Sequence, residues 1–200
     1  MTTTKSKATQ IQKAIDELLS QIIDEWYERV SPHYVTHSVG SGRQEREEEL
    51  KCFHDKNGHR IKFDKDGLDF TYGLKSQWAE EHCVIEISVN NKVENFDYLD
   101  FQRRLVAHYQ TTGSRKVTTP YQLRAHSYEE IFQLEPNLED AFSVENREKK
   151  ADIMSLSFRL RERFSEELAA RPVSGKQLIE DYCVSPFRSA YAAVYRRKSR

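Results

Sequence analysis

Glycine, proline and cysteine are all scarce in this chain: seven, five and three among 200 residues. So few glycines leave little material for loops that cradle phosphate through bare backbone, and neither a Walker loop nor a dinucleotide fingerprint is present. Cys52, Cys83 and Cys183 are odd in number, widely spaced and without a C-x-x-C pair. That pattern argues against a disulfide framework and fits free thiols in a reducing compartment. No apolar run approaches the roughly 20 residues needed to cross a bilayer. The polar opening "MTTTKSK" lacks the apolar centre of a signal peptide. A cytoplasmic protein with no membrane partner is therefore expected. There is no Ser-His-Asp ordering, internal repeat or low-complexity segment.

What the chain does have is aromatic residues and an uneven charge. Ten Phe, ten Tyr and two Trp can build a core despite the hydrophilic composition. The formal charge of −1 hides a split. Residues 1–100 carry 13 basic against 19 acidic side chains, and residues 101–200 carry 18 against 13. The two halves therefore present different electrostatic faces.

Apolar residues from Ile11 to Val30 recur at helical spacing and predict one amphipathic helix over 8–30, stopped at Ser31-Pro32. The charged segment "RQEREEELKCFH" reads as a short surface helix. "HRIKF", "LDFTYG" and "CVIEISV" are strand candidates, the first two joined by a hairpin through Asp66-Gly67. A four-residue loop there would pair Phe63 with Leu68 and Lys62 with Asp69, and avoids the like-charge pair Asp64–Asp69 that a two-residue turn would create. A helix capped by Asn95 follows, then "RKVTTPYQL" as a fourth, edge-strand candidate. From Ser127 onward the reading is helical. A long helix is predicted over 145–170 with Ile153, Leu156, Leu160, Phe164 and Leu168 inward and Arg171-Pro172 as its stop. Of the two shorter helices after it, the last is capped by Ser185 with Pro186 in its first turn. The expected fold is α+β: an N-terminal helix, a three-stranded antiparallel meander packed by helices, and a helical C-terminal part. The expected organisation is a disordered 1–7, a core over 8–126 and helices over 127–200.

Alternation in the three strands puts Ile61, Phe63, Leu68, Phe70, Tyr72, Cys83, Ile85, Ile87 and Val89 on one face, with Asp69 and Glu86 on the other. Two carboxylates on one polar face are donors for a hard cation such as Mg2+, which polarises a phosphodiester and activates water. Helix, three-strand meander with Asp69 then Glu86-Ile87-Ser88, helix and further strand together resemble the core of the PD-(D/E)xK nucleases. The resemblance covers roughly residues 8–125 and implies a metal-dependent phosphodiesterase with Asp69 and Glu86 as catalytic metal ligands. Ser88 stands where that family carries its lysine, and Lys62 is the substitute candidate. The plainer account makes Glu86 the solvated side of a half-buried strand.

From Phe101 to Tyr128 no acidic residue occurs, while Arg103, Arg104, Arg115, Lys116 and Arg124 do, interleaved with Phe101, Tyr109, Tyr121 and Tyr128. The tail from Tyr182 is also acid-free and includes Arg196 and Arg197. Basic side chains neutralise phosphates and aromatic faces stack on unpaired bases, so association with DNA or RNA is the leading expectation. The alternative is a non-enzymatic interaction module that binds a protein partner or a second copy of itself. Arg103 and His108 have the R-x4-H spacing that resembles HEPN ribonucleases, but five positions put them on different helix faces. His33, His37, Cys52, His54 and His59 have zinc-ligand chemistry without a standard ligand spacing, and read as ordinary loop residues.

Overall fold

The computed structural model describes residues 2–30, 49–65, 68–79, 82–91, 97–117, 126–135 and 153–198. It is an α+β fold built on one antiparallel sheet. Helix α1 (Thr2–Val30) leads into β1 (Glu49–Asp55), β2 (Gly58–Lys65), β3 (Leu68–Ala79) and β4 (His82–Asn91). Then come α2 (Tyr98–Thr112), β5 (Lys116–Val117), β6 (His126–Ser127), α3 (Tyr128–Ile131), β7 (Phe132–Glu135) and β8 (Ile153–Leu160). The chain closes with α4 (Glu162–Ala170), α5 (Pro172–Ile179), a π-turn (Glu180–Val184) and α6 (Ser185–Lys198). The main sheet runs β1-β2-β3-β4-β8-β7, and β5 and β6 form a separate two-stranded ladder.

Where side chains are described, the expected alternation in the meander is observed; those of Phe63, Leu68, Asp69 and Phe70 lie outside the described residues. Ile61, Tyr72, Leu74, Cys83, Ile85, Ile87 and Val89 are all buried on one face, while Lys62, Thr71, Lys75, Glu86 and Ser88 are half-buried on the other. Helix α1 lays Ile11, Ile15, Leu18, Leu19, Ile22 and Ile23 into the core across β2 and β3. Helix α2 adds Phe101, Leu105 and Tyr109, and meets α6 through the edge-on pair Phe101–Phe187 at 5.2 Å. Its N-cap is Asp97, whose carboxylate accepts from the Asp100 amide at 2.9 Å. The expected cap, Asn95, lies outside the described residues.

Several readings are corrected. Residues 49–55 form the edge strand β1 and not a surface helix: Leu50 and Cys52 are half-buried against the core, and Lys51 and Phe53 between them are exposed. The β2–β3 hairpin takes the two-residue connection, with Asp64 opposite Asp69, Phe63 opposite Phe70 and Ile61 opposite Tyr72. Apolar cross-strand pairs outweigh one like-charge pair at the mouth of a turn. Of "RKVTTPYQL", residues 115–117 are described, and Lys116–Val117 form the short β5, outside the main sheet.

The largest correction lies at 145–170, where β8 replaces the first part of the predicted helix. Leu156, Phe158 and Leu160 are buried and Ser155, Ser157 and Arg159 alternate with them at half-burial. Ile153, Leu156 and Leu160 also fit helical spacing, but that reading leaves out Phe158, which is fully buried. With β7, read as helix, on its far side, β8 carries the sheet across the expected boundary at 126/127. Helix α4 keeps Phe164 and Leu168 inward and stops at Arg171-Pro172 as predicted. In the tail, Ser185 is itself helical (φ −62°, ψ −39°) and not a cap. Pro186 sits inside a continuous rod, just after the π-turn in which the Ser185 amide reaches back to the Glu180 carbonyl. A widened turn is where a helix absorbs a residue that lacks an N–H and crowds the preceding turn.

Phe158→Ala is expected to lower unfolding free energy by about 3–5 kcal/mol in chemical denaturation, the cost of emptying a core position. A change below about 0.5 kcal/mol, the range of surface sites, would contradict β8.

Candidate metal centre

Polar residues on α1 follow the same helical arithmetic as its apolar stripe. Gln12, Asp16, Ser20 and Asp24 are spaced four apart and form a line along one flank of the helix. That flank faces the β1–β2 hairpin and the middle of β3. Gln12 Nε2 donates to the Ser76 carbonyl at 3.5 Å, and Ser76 Oγ donates to Asp16 Oδ1 at 2.8 Å. The hairpin turns through Asp55-Lys56-Asn57-Gly58, where Asp55 accepts the Asn57 amide at 2.7 Å and pairs with Arg60. Gly58 has φ +107°, and a Cβ there would meet the Leu74 carbonyl oxygen at 2.5 Å. This turn makes His54 and His59 direct cross-strand partners and leaves Cys52 two residues before His54, on the same side of β1.

The result is a cluster of unlike donors. His54 Nε2 lies 3.0 Å from Asp24 Oδ1 and 3.3 Å from Cys52 Sγ, and Cys52 Sγ lies 3.8 Å from Asp24 Oδ1. A tetrahedral zinc ion would set nitrogen, oxygen and sulfur edges of about 3.3–3.6 Å. Both partners of His54 sit on the same ring nitrogen. A Cys-His-Asp nucleophile relay needs them on opposite nitrogens, so the arrangement does not fit thiol catalysis. Burial, followed by the charge and hydrogen bond of Asp24, pushes the Cys52 thiol up. The other cysteines are core residues: burial raises Cys83 to about 12 and Cys183 well above the ordinary thiol range.

The remaining nitrogen of His54, Nδ1, lies 2.8 Å from His59 Nδ1 and 3.2 Å from Ser20 Oγ. His59 is buried, with 9% of its side chain exposed, and its Nε2 lies 3.2 Å from Asp16 Oδ2 without hydrogen-bond alignment. Asp24 and His54 face solvent.

The residues expected to form a site are dispersed. Lys75, not Asp69, stands opposite Glu86. Position 69 lies six residues from position 75 along β3, about 20 Å at strand rise. The sheet therefore does not bring Asp69 and Glu86 to one cation. Lys62 stands opposite Thr71, on the far side of β3 from β4.

In the basic stretch, Arg103 is exposed, Arg104 Nε donates to Asp100 at 3.0 Å, and Arg115 is exposed. Glu129, one residue beyond the acid-free run, folds back so that its amide donates to the Gly113 carbonyl at 3.1 Å. Phe101, Tyr109 and Tyr128 are buried, Tyr128 being stacked on Tyr182 at 4.7 Å, so these three rings serve the core and not base stacking. Tyr121 and Arg124 lie outside the described residues, as do the side chains of Lys116, Arg196 and Arg197. His108 is half-buried, with its pKa lowered by burial, and Arg103 is exposed on another face of α2.

Of the five histidine and cysteine candidates, His33 and His37 lie outside the described residues, while Cys52, His54 and His59 converge. The member of the cluster that sequence reasoning missed is Asp24. Its signal was the four-residue polar repeat beside the apolar stripe of α1. Comparison with known protein families, with curated proteins and with solved structures finds no match. Among the described residues no helix is long and apolar enough to cross a membrane.

Glu86→Gln is expected to change stability by no more than about 1 kcal/mol, the scale of a cross-strand charge pair. It is also expected to melt at the same temperature with and without Mg2+. A magnesium-dependent shift present in the wild type and lost in this variant would restore Glu86 as a ligand.

Proposed function

We propose that the chain is a metal-binding protein that takes a divalent cation of the zinc class at Asp24, Cys52 and His54. The convergence of three different donor atoms on one point, from a helix and a strand distant in sequence, carries this reading. A thiolate and an imidazole favour zinc, cobalt or nickel over the all-oxygen shell that Mg2+ prefers. Zinc would supply Lewis-acid character or a structural cross-brace. In either role the residues act alike: Asp24 from α1, and Cys52 and His54 from β1, hold one cation between the two elements.

The test is a thermal melt with zinc alone, in the absence of reductants that chelate it. At a free zinc concentration a hundred times the dissociation constant, linkage stabilises the native state by about 2.7 kcal/mol. Cys52→Ala, His54→Ala and Asp24→Ala should each reduce that shift sharply. With cobalt as probe, the wild type should show thiolate-to-metal absorption that Cys52→Ala abolishes. A wild type with neither shift nor absorption sinks the proposal.

Association with nucleic acid is a second reading, favoured by the exposed flank of α2, where Arg103, Ala107 and Thr111 recur four apart and lead to Arg115. On a single strand each phosphate contact contributes about 0.7 to the slope of log affinity against log salt. Arg103→Glu with Arg115→Glu should therefore flatten that slope by about 1.4 in anisotropy titrations with a single-stranded oligonucleotide. An unchanged slope counts against it. A protein partner or homodimer has less support: among the described residues the exposed large apolar side chains are Phe53 on β1 and Val173 on α5, two isolated positions and not a patch.

A further inference from the structure

The nearly buried His59 contributes no ligand to the proposed centre, and a plain core position would be filled by an apolar residue at lower desolvation cost. Both of its ring nitrogens face polar groups: His54 Nδ1 at 2.8 Å and Asp16 Oδ2 at 3.2 Å. We infer that His59 is a positioning residue for the metal ligand His54, acting through a relay that runs from His54 through His59 and Asp16 to Ser76. The inference rests on the metal-binding reading and deepens it by naming what fixes the tautomer and angle of the histidine ligand.

The proton assignment follows from the contacts. Two nitrogens 2.8 Å apart hold one N–H between them. A cation on His54 Nε2 leaves the ring proton on Nδ1, so His54 donates to His59 Nδ1. His59 then carries its own proton on Nε2, which lies 3.2 Å from Asp16 Oδ2 as a close polar contact short of hydrogen-bond alignment. The other oxygen of Asp16 is already occupied by the Ser76 hydroxyl at 2.8 Å. With metal bound, His54 is thus donor to His59, and Asp16 accepts from Ser76 while facing the His59 Nε2 proton, which needs only a small ring rotation to donate to it. Metal-ligating histidines draw orientation and basicity from such partners, whose loss lowers metal affinity by about 10–100-fold. The relay also anchors a ligand from the edge strand to α1 and β3, which pack against each other in the core.

Replacement of His59 separates a positioning role from mere space-filling. His59→Phe fills the volume but can neither accept from His54 nor donate to Asp16. His59→Gln can do both, through its carbonyl and amide ends. Zinc affinity, measured by competition with a chromophoric chelator, should fall 10–100-fold in His59→Phe and recover most of the way in His59→Gln. In the zinc-loaded wild type, 15N spectra should show the His54 ring protonated at Nδ1 and coupled through its hydrogen bond to His59 Nδ1. Both variants should keep the wild-type far-ultraviolet dichroism. Should His59→Phe fail to fold, Asp16→Asn and Ser76→Ala provide the same comparison one and two steps further along, with smaller losses expected. A wild type that binds zinc with affinity unchanged in all these variants overturns the relay alone. A wild type that binds no zinc overturns the relay together with the metal reading.

Discussion

The burial of one stripe of α1 on one face of the sheet is the constraint on which the rest depends. Ile15, Leu19, Ile22 and Ile23 are fully or almost fully out of water against strands whose own inward residues are equally buried. Burying each such side chain is worth about 1.5–3 kcal/mol, far more than any exposed polar contact nearby. The rotation of α1 is therefore set by hydrophobic packing, and the polar line of Asp16, Ser20 and Asp24 has no freedom in where it points. A helix of 3.6 residues per turn places a four-residue polar repeat beside a buried stripe. The flank that results lies along the hairpin carrying Cys52, His54 and His59. The approach of α1 to the donors of β1 is a consequence of core packing.

How much of this was legible in the sequence depended on whether a segment had one plausible period or two. The meander residues Ile61, Tyr72, Leu74, Cys83, Ile85 and Ile87 alternate without competition, and their face was readable. Leu156 and Leu160 satisfy both a helix and a strand, and only Phe158, between them, breaks the tie. Residues 49–55 were masked by charge: glutamates and arginines upstream imitate the pairing of a solvated helix, while the two residues that decide, Leu50 and Cys52, are a minority in a charged run. The tail was misjudged for a different reason. Ser-Pro is a strong start signal for a helix, yet a π-turn lets the chain pass through it without stopping.

The candidate site shows the same limits. Parity along strands says which residues share a face and nothing about how far apart they lie along it. Asp69 and Glu86 were chosen on parity, and the register that separates them is set by β3 being twelve residues long, with Lys75 opposite Glu86. His54 and His59 were readable in principle, because Asp-Lys-Asn-Gly is a hairpin signal that would make the flanking histidines cross-strand neighbours. Asp24 was less accessible, since its approach to β1 is tertiary. The interleaving of arginine with aromatic residues after Phe101 was real in sequence but split in space. Helical periodicity sends Phe101, Leu105 and Tyr109 inward and Arg103 outward, so charge and ring do not present one surface.

The position of the cluster at the sheet's edge gives a cation a definite mechanical task. Strand β1 hydrogen-bonds to β2 on one side and is the terminal strand of the sheet. It contributes Leu50 and Cys52 only partly to the core. What else fastens it to α1 is polar and exposed: the Asp24–His54 pair at 3.0 Å, with 51% and 37% of the side chains open to water, contributes well under about 1 kcal/mol. Such a contact does not overcome the tendency of an edge strand to fray. The proposed cation, shared by Asp24, Cys52 and His54, would change the balance, because metal–ligand bonds in place of screened charge contacts would join the terminal strand to a helix anchored in the core. The elements so joined are 28 residues apart between Asp24 and Cys52, so the link also removes conformational freedom from the opened edge. On the zinc proposal, stability of the β1 edge would be the quantity most sensitive to the metal, and hydrogen exchange along Lys51–Phe53 would express occupancy most directly.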